Sequence, residues 1–319
     1  MLPMRLVFRA DASPLVGSGH VMRLSAIAEE AISQGIETVF LGRISNVEWL
    51  QSRIDLLGFS QICLPEDFSP DSESDFLILD SYHVQVNDSL INGRNWKKIV
   101  AITDELTPIY QADTYIHPGF ESSWFQGDKS KLLSGPRYFP VRKSINKVNA
   151  SLRVDIKKIV IFGGGTDPFG FALSLSKVLT NIREYEAAFF FTDSEEVRHL
   201  DDRFSVEPFG ASLDLRIDES DLVLTTASTS SLEVLARGLP IGVACATENQ
   251  ISYHKSLIAN GFATDIGFRK SQSSWEFDPS NLAKLINDSS FRKAQIYKSK
   301  GAIDSLGASR CLEVILALA

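Results

Sequence analysis

Short apolar runs and helical periodicities alternate along the chain. Leu6-Val7-Phe8 is a continuous apolar run, and beyond it Val21, Leu24, Ile27, Ala28 and Ala31 recur at spacings of three and four. The first pattern predicts a strand, the second a helix over 20–34 ended by Gly35. A strand over 37–41 and a helix over 47–57, stopped by Gly58, repeat the design. Phe76-Leu77-Ile78-Leu79 ends in Asp80, and the run 98–102 ends in Thr103-Asp104-Glu105. Uninterrupted runs of this kind read as strands buried on both faces of a parallel sheet. Tyr115-Ile116 predicts one more short strand. The design returns at Lys158, where Ile159-Val160-Ile161-Phe162 feeds Gly163-Gly164-Gly165-Thr166-Asp167-Pro168 and a helix over 169–181. Strands follow over 186–192, with Phe189, Phe190 and Phe191 in the core, and over 221–224 and 241–244. A helix over 232–237 ends at Gly238-Leu239-Pro240, and a last helix covers 310–318. The fold class is α/β, in two similar halves.

Between Pro136 and Val154 the apolar pattern lapses into a polar, basic stretch with Pro140, Arg142, Lys143, Lys147 and Arg153. It divides the chain into an N-terminal domain over 1–140, a linker over 141–154 and a C-terminal domain over 155–319. It leaves open that the last helix packs back on the first domain. The length of 319 residues already argues for two domains.

The most distinctive stretch is the first strand-to-helix turn, Gly17-Ser18-Gly19-His20. Glycines admit close approach of a ligand to the main chain, and the N–H groups of a helix start favour an anion. The positive end of a helix also favours a neutral imidazole that can accept a proton. These residues therefore predict a general base, His20, beside a phosphate group; a tight turn carrying a surface histidine is the plainer alternative. Asp11, Asp80 and Asp104 all fall just past strand ends, where open parallel sheets bind ligands; acids that simply terminate strands and cap helices are the plainer alternative. In the second half, Thr225-Thr226-Ala227-Ser228-Thr229-Ser230-Ser231 leads into the helix carrying Glu233. Hydroxyls and free N–H groups there suit a diphosphate, with Glu233 one turn in to accept from ribose hydroxyls; an ordinary helix cap explains the same residues. Asn249-Gln250 follows the strand over 241–244 and offers amides to phosphate or sugar, or simply forms a turn.

Composition narrows the partners. A hydrophobic share of 44% with 23% charged residues is that of a globular protein. The net charge of −8 argues against nucleic acid or an anionic membrane as the main partner. Cys63, Cys245 and Cys311 form no C-x-x-C pair, so neither a disulfide framework nor a zinc site is suggested. No apolar run approaches the length of a membrane span, and the first residues lead directly into a strand; a soluble cytoplasmic enzyme is expected. A nicotinamide-type fingerprint is not present after the first strand, because Met22 stands where G-x-G-x-x-G needs its third glycine.

Taken together, several blocks resemble the GT-B nucleotide-sugar enzymes. More closely, they resemble the UDP-sugar hydrolase family of pseudaminic acid biosynthesis, which acts on a UDP-linked diacetamido-trideoxy-altropyranose. The blocks are Phe8-Arg9-Ala10-Asp11-Ala12-Ser13 with Gly17-Ser18-Gly19-His20-Val21-Met22-Arg23; Asp80-Ser81-Tyr82; Asp104-Glu105; Gly164-Gly165-Thr166-Asp167-Pro168; Glu233 before Gly238-Leu239-Pro240; Asn249-Gln250; and Asp304 with Gly307-Ala308-Ser309-Arg310. They run in order over nearly the whole chain. Ala227-Ser228 stands where the family usually carries Gly-Gly.

The resemblance implies a GT-B fold of two Rossmann-like domains with parallel sheets facing a central cleft. It implies UDP held mainly by the C-terminal half, no metal and no cofactor. It further implies hydrolysis to UDP and free sugar with inversion, in surface-glycan biosynthesis. His20 is the implied general base, with Asp11 or Asp80 orienting the water or the imidazole. Arg9, Gly17, Gly19, Arg23, Asp80, Tyr82, Gly164, Gly165, Thr166, Asp167, Ser228, Thr229, Ser230, Glu233, Asn249 and Gln250 are the implied substrate contacts. A GT-B glycosyltransferase with the same donor is the alternative, and a catalytically silent nucleotide-sugar binder the third. The oligomeric state is left open.

Overall fold

The computed structural model describes residues 4–82, 84–85, 87–92, 95–103, 111–120, 125–145 and 154–319. Asp104, Glu105, Lys147 and Arg153 lie outside them. The chain divides into two compact units: Met1–Ser144 with Asp304–Ala319, and Ile145–Ile303.

In the first unit, β1 (Arg5–Arg9) leads to α1 (Gly19–Ser33), then β2 (Glu37–Leu41), α2 (Glu48–Leu56) and β3 (Gln61–Cys63). The strands β4 (Asp75–Leu79), β5 (Lys98–Ile102), β6 (Thr114–His117) and β7 (Leu132–Ser134) follow. Among the described residues they form one parallel sheet in the order β3-β2-β1-β4-β5-β6-β7. The continuous apolar runs have a direct cause in this sheet. Leu6 and Phe8 point into one core with α1, while Val7 points into a second core on the other face. Phe76 and Ile78 against Leu77 and Leu79 repeat the division. Burial on both faces removes the polar alternation of a half-exposed strand. Helix α1 begins at Gly19 and ends before Gly35, whose φ of +74° closes it.

The second unit repeats the plan. It contains β8 (Lys158–Phe162), α3 (Phe171–Leu179), β9 (Ala187–Phe191), β10 (Phe204–Glu207), α4 (Ala211–Glu219), β11 (Leu222–Thr226), α5 (Thr229–Arg237) and β12 (Ile241–Cys245). It continues with α6 (Ile251–Ala259), β13 (Thr264–Ser271), β14 (Ser274–Phe277), α7 (Pro279–Asn287) and α8 (Ser289–Ser299). The sheet order is β10-β9-β8-β11-β12-β13-β14, parallel except for the last hairpin. Phe190 and Phe191 are buried as expected, but Phe189 is only half-buried, and the Arg216 guanidinium lies 4.5 Å from its ring centre. Sequence periodicity starts the helix before Gly238 at Leu232; the structure starts it at Thr229, because the first turn is built from hydroxyl residues.

The chain ends in α9 (Gly307–Leu316), which belongs to the first unit. Its Cys311, Leu312 and Ile315 share a core with Val21, Leu24 and Ala28 of α1. A methyl group on Gly307 would lie 1.8 Å from the carbonyl oxygen of Phe139, so the helix start sits directly on that backbone. Part of the expected linker packs on this unit as well: Val141 and Arg142 are buried, and the Lys143 N–H donates to Glu29. No helix among the described residues is long and apolar enough to cross a membrane.

Candidate functional site

Parallel pairing puts every strand end of the first sheet on one edge. The Asp80 N–H donates to the carbonyl of Arg9, so the chain leaves β1 and β4 side by side. Between β1 and α1 the chain turns back at Gly17, whose N–H donates to Ser13 O at 2.8 Å and whose φ is +82°. Gly19 is the first residue of α1, and the start of that helix carries neither an acidic residue nor a side-chain cap. His20 follows, with Arg23 three positions on and hence on the same face.

Both reach Asp80. The Nδ1 of His20 is 2.6 Å from Asp80 Oδ1, and Arg23 donates through Nε to Oδ2 and through Nη2 to Oδ1, each at 2.8 Å. All three are buried, Asp80 to within 1% of full burial. A carboxylate can only accept, so the proton in the short contact belongs to Nδ1. Arg23 Nη2, 3.1 Å from the same nitrogen, is then a close approach without a shared proton. This tautomer leaves Nε2 with the lone pair. Tyr82 stands edge-on to the imidazole, ring centres 4.4 Å apart at 89°. The arrangement is an imidazole held by a carboxylate, itself fixed by a two-pronged guanidinium.

Asp11 is placed differently. Its two oxygens accept from Arg9 Nη1 and Nη2 at 2.6 and 2.7 Å, and Oδ1 also takes the Arg43 N–H. The carboxylate on Nδ1 is that of Asp80. On the same edge, His117 at the end of β6 points Nδ1 at the Thr103 carbonyl, 2.8 Å away. The apolar pattern ends at Tyr115-Ile116 and does not single out His117, although His117-Pro118-Gly119 directly follows that predicted strand.

In the second unit the carboxyl edge carries the loops after β8, β11 and β12. Gly163, Gly164, Gly165 and Thr166 lead to Asp167, which adopts φ +46° and turns its carboxylate back onto the start of α3. The N–H groups of Phe171 and Ala172 donate to it at 2.8 and 3.1 Å. Burial pushes its pKa up to about 6 against the opposing pull of those N–H groups and Thr192, with Asp193 adding to the rise.

The start of α5 is unlike that of α3. Ser228 takes the extended backbone of a cap (φ −119°, ψ 177°), yet no side chain caps the helix and its first turn holds no acid. The Ser228 hydroxyl oxygen is buried and has no hydrogen-bond partner among the described residues. Thr229 and Ser230 occupy the first two helical positions, whose N–H groups have no partner within a helix. Glu233 lies one turn in and is half-buried. After β12, Gln250 accepts the Ala246 N–H at 3.0 Å, and Thr247 Oγ1 donates to Asn249 Oδ1 at 2.5 Å. Both amides thus shape a 3₁₀ turn, Glu248–Gln250. The structure brings His20, Arg23, Asp80 and Tyr82 into one cluster and pairs Arg9 with Asp11 beside it. Gly17 and Gly19 form the turn that leads into His20, and the candidates from Gly164 to Gln250 gather on the edge of the second sheet.

No family model matches the sequence, and no curated protein matches it. Solved structures do. MurG of Acinetobacter baumannii is 13% identical, with 99% of this chain and 100% of that one covered and a TM-score of 0.66. CalG4, the calicheamicin glycosyltransferase, is 12% identical over 100% and 98% at a TM-score of 0.64. An S. aureus MnaA–UDP complex is 11% identical over 99% and 98% at 0.60. The likeness runs through both units and establishes the GT-B fold of two Rossmann-like domains.

Proposed function

We propose that the protein is a nucleotide-sugar hydrolase that cleaves a UDP-linked diacetamido-deoxysugar to UDP and free sugar. The observation that carries this reading is the 2.6 Å contact between His20 Nδ1 and Asp80 Oδ1. Asp80 accepts the hydrogen bond from Nδ1–H, which leaves Nε2 as the proton acceptor of the proposed step.

In the proposed step a water oxygen attacks the anomeric carbon from the face opposite the diphosphate. His20 Nε2 takes its proton as the new C–O bond forms. The bond from the anomeric carbon to the diphosphate oxygen breaks, and its electron pair leaves with UDP. The configuration inverts. The uncapped start of α5 supplies N–H donors for the charge that develops on the leaving group. Glu233, one turn further, is the proposed acceptor for ribose hydroxyls, and Tyr82 the proposed sugar contact. A UDP complex among the structural neighbours supports the choice of nucleotide.

Glycosyl transfer is the second reading, favoured by neighbours that are themselves glycosyltransferases. It uses the same base and donor, with a hydroxyl in place of water. Turnover of the UDP-sugar in ¹⁸O-labelled water decides. Hydrolysis puts the label on the anomeric carbon without any added acceptor. UDP release that needs an added hydroxyl compound would replace hydrolysis by transfer, and no release with either would end both readings.

A further inference from the structure

The second sheet presents two neighbouring helix starts, and the chain treats them in opposite ways. Strands β8 and β11 pair in register, Phe162 opposite Thr225, so the loops that follow them emerge side by side. A methyl group on Gly164 would lie 3.9 Å from Thr226 Oγ1, which measures how close the two loops run. Helix α3 has Gly170 at its cap position and no cap of its own there. Asp167 does that work from three residues earlier, with one oxygen on the Phe171 N–H and the other on the Ala172 N–H.

The loop is built around this carboxylate. Asp167 holds a left-handed backbone that a residue with a side chain rarely adopts. A methyl group on Gly163 would sit 2.2 Å from Asp167 Oδ1, so the glycine leaves the room that the carboxylate fills. Helix α5, one strand over, keeps its first N–H donors unused by any side chain.

We propose that Asp167 is a positioning residue that acts as a built-in anion: it occupies the start of α3, confines a bound diphosphate to the start of α5, and opposes that diphosphate with its own charge. The proposal rests on the reading of α5 as the diphosphate site and adds what controls affinity there. An ionised Asp167 fills the α3 donors and repels the ligand next door. A protonated Asp167 repels it no longer.

The groups facing the carboxylate are the Phe171 and Ala172 N–H groups of α3, the Thr192 hydroxyl at the end of β9, and Asp193 just beyond it. Asp193 is a like charge that makes the proton easier to hold, and burial acts in the same direction. With the transition near 6, the charge of Asp167 changes just below neutral pH. UDP affinity should then rise as the solution is acidified, beyond any change due to UDP itself.

Calorimetric titration of UDP into the full-length protein and into Asp167→Asn, at about pH 8 and about pH 5.5, tests this. The ligand's own titration cancels in the ratio of the two proteins. Asp167→Asn should bind UDP about tenfold more tightly than the parent at the higher pH, and the two should converge at the lower. Asp193→Asn, which leaves Asp167 in place, should move the parent's transition to lower pH. A ratio that does not change with pH, or weaker binding by Asp167→Asn at the higher pH, would overturn the proposal while leaving α5 as the site. Failure of the parent protein to bind UDP at either pH would overturn the α5 reading and this proposal with it.

Discussion

The Nδ1 of His20 sits 2.6 Å from Oδ1 of Asp80, although 60 positions separate the two residues in the chain. β1 and β4 are neighbours in the sheet, so the helix after one strand is set against the acid that ends the other. Arg23, one helical turn beyond His20, grips the same carboxylate with two donors. The position of the imidazole is therefore set by buried contacts among His20, Asp80 and Arg23 and not by the glycine turn alone.

Asp80→Asn tests that network. The amide can present its NH₂ to Nδ1 and favour the wrong tautomer, so kcat should fall by about a thousandfold. The same change takes from the buried Arg23 the carboxylate that it grips with two donors, which should cost about 3–5 kcal/mol of stability. Turnover by Asp80→Asn at the parent rate, in protein shown by denaturation to be folded, would remove Asp80 from the mechanism.

A carboxylate placed at the start of α5 should mimic the leaving diphosphate. Ser230→Asp adds an acid to a first turn that has none. Favourable interaction with the helix dipole should keep the protein folded, with stability changed by less than about 1 kcal/mol. UDP affinity should fall by at least about tenfold in a calorimetric titration. Unchanged affinity would place the diphosphate elsewhere.

Asp167 should give the stability of the protein a distinctive slope with pH. Its folded pKa, about 6, lies above the ordinary carboxylate value of 3.8, so the folded state holds the proton more tightly than the unfolded chain. Its stabilising contribution is complete below the ordinary value. It is lost as pH rises from there to about 6, by a total of about 3 kcal/mol. Urea denaturation of the parent and Asp167→Asn across this window should show the difference narrowing or reversing by that amount; parallel curves would contradict it.

Gly307→Ala should loosen α9. The added methyl group meets the Phe139 carbonyl oxygen at 1.8 Å, and backbone cannot yield as a flexible side chain would. A loss of about 2–4 kcal/mol in chemical denaturation is expected, with the midpoint shifted and the slope kept. A neutral substitution would mean that the helix start moves freely away from Phe139.

Much of this was legible in the sequence, for physical reasons that differ from element to element. β1, β4 and β8 could be read because sheets covered on both faces leave continuous apolar runs. Helix α8 could not, because the side chains it buries are Arg292, Gln295 and Ser299. Arg292 donates to the carbonyls of Leu285, Ile286 and Val154, and Gln295 bonds both backbone groups of Ile241, so the packing of α8 is polar where periodicity looks for carbon. In the site, His20 and Asp80 could each be singled out from local pattern. Which acid takes Nδ1 depended on strand order, and no local pattern distinguishes Asp80 from Asp11 there. Asp167 beside a glycine turn reads as a ligand contact in sequence, whereas its carboxylate spends both oxygens on the first turn of α3.

In the proposed step Nε2 of His20 takes the proton from the attacking water. The most direct measurement compares the parent and His20→Ala for release of UDP from the UDP-linked diacetamido-deoxysugar, alongside calorimetric binding of UDP to each. A loss of about a thousandfold or more in turnover is expected, with UDP affinity within about twofold of the parent. Turnover retained by His20→Ala, with UDP binding intact, would contradict it.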